Sequence, residues 1–164
     1  MTIENLFEIF GENAETQKMA IFASVFIIQN RLQTTCDELE TDITMKQWLL
    51  LAMTSVFPVP PTLTAVGKLM GCSRQNIKKL AASLEKKDFL HIEQNSKKAS
   101  AVSIVLDKKT QEYVENTNEL HDEVLRLLFQ DFSDAEIALF YEYLKKLYNG
   151  LERIDKLSGR RKSK

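Results

Sequence analysis

The chain opens with apolar residues at Ile3, Leu6, Phe7 and Phe10, a three-and-four spacing that predicts a short helix with one apolar face. So small an element needs a surface to dock on. Asn13, with Glu15 in the turn that follows, is a cap for a second helix. There Phe22, Val25, Leu32, Cys36 and Leu39 recur at three- and four-residue steps, with Gln29 filling one step. Ile21, Phe26, Ile27 and Ile28 widen the stripe until the helix is apolar nearly all round. A helix of that kind is expected to be buried on several sides. Thr44 and Gln47 form a capping box ahead of Trp48, Leu49, Leu51, Ala52 and Val56. Pro58, Pro60 and Pro61 then stop the helix and force extended backbone.

The next stretch, residues 63–84 (LTAVGKLMGCSRQNIKKLAASL), organises the rest. Thr62 caps its first helix and Ser73 its second. Gly67 lets two helix backbones approach, and Gly71 takes positive φ at the turn. Val66, Met70, Ile77 and Leu80 fill the wedge between them. This spacing predicts a helix-turn-helix. With Ile77 inward, a step of about 100° per residue puts Gln75, Lys78, Lys79 and Ala82 on the outer face, flanked by Arg74 and Asn76. Those side chains are donors for base edges and cations for phosphates. An ordinary αα-hairpin with solvated charges has the same pattern. The coincidence of turn, cap and basic first turns favours DNA.

Residues 89–93 (FLHIE) and 101–106 (AVSIVL) are strand-like, and the polar link QNSKKAS joins them. They predict a β-hairpin, or wing, with Lys97 and Lys98 at its tip. Those lysines are either solvated loop residues or phosphate contacts beside the helix-turn-helix. Asp107 caps a long helix to residue 129, with Tyr113, Val114, Leu120, Val124, Leu127 and Leu128 as its spine. Ser133 and Glu136 form another capping box. Behind it Ile137, Phe140, Leu144, Leu147, Leu151 and Ile154 alternate at three and four, a heptad seam that fits another helix. The basic tail, residues 158–164, is expected to be disordered. The fold class is mainly α with a small β-hairpin, an α+β arrangement. It is a single winged helix-turn-helix domain, with the DNA-binding region at 43–107 and dimerisation helices at 1–42 and 108–157.

Composition sharpens this picture. A hydrophobic content of 44% with 27% charged residues fits a globular chain. The net charge is only −1, but residues 62–100 hold eight Lys and Arg against three acids, +5, leaving −6 elsewhere. A basic module on an acidic body fits a local nucleic-acid footprint. Cys36 and Cys72 make neither a disulfide framework nor a zinc spacing. Cys36 reads as a small hydrophobe or as a redox thiol, and Cys72 as core filling in the turn. His91 and His121 lack a helical ligand partner, and no glycine-rich phosphate loop or nucleophile–base pair is evident. No enzyme activity, metal or cofactor is therefore expected. Glu4, Glu8 and Glu12 stand where a signal peptide would be basic, and the apolar run at 20–28 is too short for a bilayer. The expectation is a cytoplasmic protein with no membrane contact.

Helices, helix-turn-helix, wing and long helices, in this order, resemble the multiple antibiotic resistance regulator (MarR) family over residues 21–157. The most specific part is LTAVGKLMGCSRQNIKKLAASLEKKDFLHI at 63–92, and TMKQWLLL at 44–51 fits too. The resemblance implies a homodimeric repressor or activator of transcription. Its second motif helix would enter the major groove of double-stranded DNA at an inverted repeat. The DNA-binding candidates are Ser73, Arg74, Gln75, Asn76, Lys78, Lys79, Lys97 and Lys98. Release by a small apolar or phenolic effector is also implied, with Trp48, Phe26 and Cys36 as pocket candidates. The chain departs from the family in its wing. Aligned on Leu106, Lys98 and Ser100 stand where the family usually has an Asp and an Arg. Asp88 replaces the usual Gly after the Glu-Lys-Lys run, and Asp107 the usual Thr. Two rivals stand beside this reading: a helical protein-interaction adaptor, and a cysteine-based redox regulator of the same fold.

Overall fold

A computed structural model describes residues 2–39, 42–94 and 102–162, with the backbone alone for 158–162. The elements in chain order are α1 (Ile3–Phe10), α2 (Ala14–Leu39), α3 (Met45–Ser55), α4 (Leu63–Leu69), α5 (Arg74–Glu85), β1 (Leu90–Gln94), β2 (Val102–Leu106), α6 (Lys108–Leu128) and α7 (Asp134–Lys162). They fall into two compact units, Met1–Tyr113 and Val114–Lys164.

In the first unit the caps sit where the polar residues put them. Thr2 and Asn5 close a capping box on α1, and Thr44 and Gln47 another on α3. Asn13 Oδ1 accepts from the Glu15 and Thr16 N–H groups at 3.0 and 3.1 Å. The core gathers Ile43, Leu50, Leu51, Leu63, Val66, Ile77, Ala81, Leu84, Phe89, Leu90, Ile104 and Tyr113. It is built where α3, α4, α5 and the hairpin meet, and the Phe89 and Tyr113 rings cross edge to face at 5.4 Å. The hairpin is antiparallel, in a register from Leu90 opposite Leu106 to Gln94 opposite Val102. Both of its outer edges are engaged. Ile104 N–H donates to the Pro61 carbonyl at 2.9 Å, and Ile92 N–H to Glu85 Oε1 at 2.8 Å.

Four expectations are corrected here. The first strand begins at Leu90, not Phe89. Asp88 takes a left-handed φ of 63°, and Phe89 N–H returns to the Leu84 carbonyl, so Phe89 closes α5 and fills the core. Among the described residues of α2 only Ala20 is buried, and Met19, Phe22 and Phe26 are more than half exposed. The reason is length: an eight-residue α1 covers about 12 Å of a 26-residue helix about 39 Å long. Next, α7 continues through residues 158–162, where a disordered tail is expected from the sequence. No proline interrupts it, and the glycine within this stretch, Gly159, costs about 1 kcal/mol, too little to end it. Asp107 precedes α6, but its carboxylate goes to His91 Nδ1 at 2.7 Å, and Thr110 N–H donates to the Asp107 backbone carbonyl at 3.0 Å instead.

In the second unit, Ser133 N–H and Oγ–H both donate to Glu136 Oε2, at 2.9 and 2.7 Å, and start α7. These bonds hold the Glu136 carboxyl below its ordinary range. Phe132 stacks on Phe140 at 6.2 Å and meets Phe129 edge-on at 5.8 Å. The α7 seam is bare: Ile137, Phe140, Leu144, Leu147, Leu151 and Ile154 are 39–57% exposed. Among the described residues no helix is long and apolar enough to cross a membrane.

Candidate nucleic-acid interface

Four local devices set the angle between α4 and α5. Thr62 Oγ1 accepts from Ala65 N–H at 3.2 Å and starts α4. Gly71 takes φ +65°, a conformation that side-chain-bearing residues rarely adopt. Cys72 N–H donates to the Gly67 carbonyl at 2.8 Å, which closes the turn. Ser73 Oγ accepts from Asn76 N–H at 3.2 Å and starts α5. The helices touch at Gly67, where a Cβ would lie 2.8 Å from the Cys72 carbonyl oxygen.

Ile77, Ala81 and Leu84 are fully buried, so the opposite side of α5 must face out. Arg74, Gln75, Asn76, Lys78 and Lys79 are all exposed there. No acid precedes Glu85 on this helix, and the Glu85 carboxylate is held by β1. Among the described residues, Arg74, Lys78 and Lys79 make no ion pair. Other cations do sit on a carboxylate: Lys18 on Glu15, Lys108 on Glu112, Arg126 on Glu123 and Lys145 on Glu142. Free cations and amides share one face, and the N-terminal end of α5 adds its positive dipole to it. That face can bind phosphates and offer hydrogen bonds to base edges.

The remaining candidates are dispersed. Lys97 and Lys98 lie outside the described residues. Trp48 is half-buried and packs on the core. Phe26 is exposed on α2 against Phe22, their rings 5.2 Å apart. Cys36 is half-buried ten residues further along, about 15 Å down the helix axis. An open cleft of about 300 Å³ lies elsewhere, between the end of α3, the proline segment and β2. Phe57, Pro60, Pro61 and Ile104 are among its lining residues.

No family profile matches the sequence, and no curated protein matches it. Solved structures do. A MarR/EmrR family transcriptional regulator from Acinetobacter sp. ADP1 superposes with a TM-score of 0.73 at 19% identity, over 83% of this chain and 97% of the other. The chain has the MarR fold. MepR of S. aureus, solved as a DNA complex, matches with a TM-score of 0.69 at 19% identity, over 79% of this chain and 97% of its own. The PcaV regulator of Streptomyces coelicolor, solved with its natural ligand, matches at 0.63 and 12% identity, over 85% and 94%. The resemblance drawn from residues 21–157 therefore holds at the level of the fold. Within the MarR fold of this chain, Gln47 also bonds to Ser83 across 36 residues. Sequence reasoning missed that bond. The Thr44–Gln47 spacing marks Gln47 as a cap, and no local pattern gives its amide a second partner.

Proposed function

We propose that this chain is a homodimeric, sequence-specific DNA-binding regulator of transcription, acting as a repressor on an inverted-repeat operator. The observation that carries the reading is the outer face of α5. It presents uncompensated cations and amides opposite a fully buried Ile77, Ala81 and Leu84. Gln75 and Asn76 suit adenine edges, and the lysines suit guanine edges or phosphates. Lys97 and Lys98 add phosphate contacts in this reading. The MepR–DNA complex supports it, because the same fold is there bound to DNA. The bare α7 seam supports the dimer, since a helix with six half-exposed apolar residues needs a partner. A small apolar effector belongs to the same reading, supported by the ligand complex of PcaV.

Titration of labelled duplexes at several salt concentrations tests it. Affinity should fall steeply with salt, by a log–log slope of about 0.9 for each phosphate contact. Gln75→Ala leaves charge unchanged and should weaken a preferred sequence by about 1–3 kcal/mol. Lys68→Ala, on α4, should weaken all duplexes alike. Affinity indifferent to salt and to Gln75 would refute the reading and favour a protein-interaction adaptor.

A further inference from the structure

We propose that the Gln47–Ser83 hydrogen bond fixes the rotation of α5, making Gln47 and Ser83 positioning residues for DNA sequence discrimination. The inference rests on α5 being the reading helix, as argued above. Gln47 is 6% exposed, and both ends of its carboxamide are used. Its Oε1 accepts from Thr44 N–H at 3.0 Å, and its Nε2 donates to Ser83 Oγ at 2.9 Å. Thr44 Oγ1 in turn accepts from Gln47 N–H at 3.3 Å. The amide is therefore anchored to the start of α3 before it reaches α5.

The other side chains that α5 buries in the core are apolar. The buried side chains of Ile77, Ala81 and Leu84 form no directional bond, so their packing opposes rotation of α5 only through non-directional contact. Side-chain tips lie about 5–6 Å from a helix axis. A rotation of about 20° would then move the Gln75 and Lys79 side chains by about 2 Å, beyond hydrogen-bonding reach of a base edge. A directed bond to an amide that cannot itself turn removes that freedom. Gln75, Lys78 and Lys79 lie on the same continuous helix as Ser83, so rotation set at Ser83 is carried to all three. The second directed contact of α5, Glu85 Oε1 on Ile92 N–H, ties it to the strand that follows. Gln47–Ser83 instead ties it to a helix that precedes it.

The test uses the full-length chain and two duplexes, the site it selects from random DNA and a scrambled version. Ser83→Ala should lower the ratio of the two affinities about tenfold, while affinity for the scrambled duplex stays unchanged. Ser83→Thr keeps the hydroxyl and should keep the wild-type ratio. Thr54→Ala controls for lost stability, because it removes a buried hydroxyl bonded within α3, to the Leu50 carbonyl at 2.7 Å. It should leave the ratio intact. A wild-type ratio in Ser83→Ala would overturn the proposal, as would an equal loss in Thr54→Ala. A wild-type chain that selects no sequence would overturn the proposed function with it. A wild-type chain that selects one, which Ser83→Ala still prefers, would overturn this inference alone.

Discussion

Gly67→Ala probes the helix-turn-helix angle with a single methyl group. Gly67 is inside α4, and an added Cβ would stand 2.8 Å from the Cys72 carbonyl oxygen and 3.3 Å from Ile77 Cγ1. The first distance is a backbone contact, so relief requires α4 and the turn to separate. Overpacking of this kind costs about 1–3 kcal/mol. The gain in helix propensity from glycine to alanine offsets about 1 kcal/mol of that. The net loss should be up to about 2 kcal/mol. In a chain of this length it appears as a fall in Tm of up to about 8 °C. Gly150→Ala is the matched control. It makes the same change in a helix where nothing lies within 4 Å of the added Cβ, so propensity alone should act and stability should rise by up to about 1 kcal/mol. Thermal and urea unfolding at equal protein concentration measure both variants, since dimerisation would make Tm depend on concentration. Gly67→Ala gaining as much stability as Gly150→Ala would refute the close approach of α4 to the turn.

The α7 seam should hold the dimer: changing Leu144 and Leu151 together to Glu should give a monomer or an aggregate by sedimentation. A soluble, folded dimer carrying both changes would refute that interface. The α7 capping box should titrate in acid. Hydrogen bonds from Ser133 lower the folded pKa of Glu136 below its ordinary 4.5, so the contribution is present above that value and is lost as pH falls through the lowered one. The Ser133 amide shift in NMR should follow a midpoint below 4.5 in the wild type and lose it in Glu136→Gln. A wild-type midpoint at or above the ordinary value would contradict the bond.

Much of the chain was legible because its signals are local. Thr44 with Gln47, Thr62, Ser73, and Ser133 with Glu136 mark helix starts by chemistry acting within one turn, and each cap forms. Gly71 announces its left-handed turn in the same way, whereas Asp88 stood out only as the residue in place of the family's usual glycine. What escaped reading depends on distant partners. The apolar girth of α2 and the α7 seam announce burial without saying what buries them, and both stay largely exposed in this chain. The Gln47–Ser83 bond has no local signature, because it depends on the packing of α3 against α5. Asp107 carries a capping oxygen in the sequence, but only the folded hairpin brings His91 to it. The outer face of α5 was legible because it is the complement of Ile77, which needs only helical geometry. Which bases that face meets is set by the DNA partner.

Selection of bound sites from random duplex DNA by the wild-type chain probes α5 and the dimer together. Two α5 helices related by a two-fold axis should enter major grooves about one helical turn apart, about 34–36 Å. Enrichment of an inverted repeat with half-sites centred about 10–10.5 base pairs apart is expected, with loss of preference at one position per half-site in Gln75→Ala. A selected site without two-fold symmetry would contradict the dimer, and no enriched sequence at all would contradict the account of α5 as a reader of DNA.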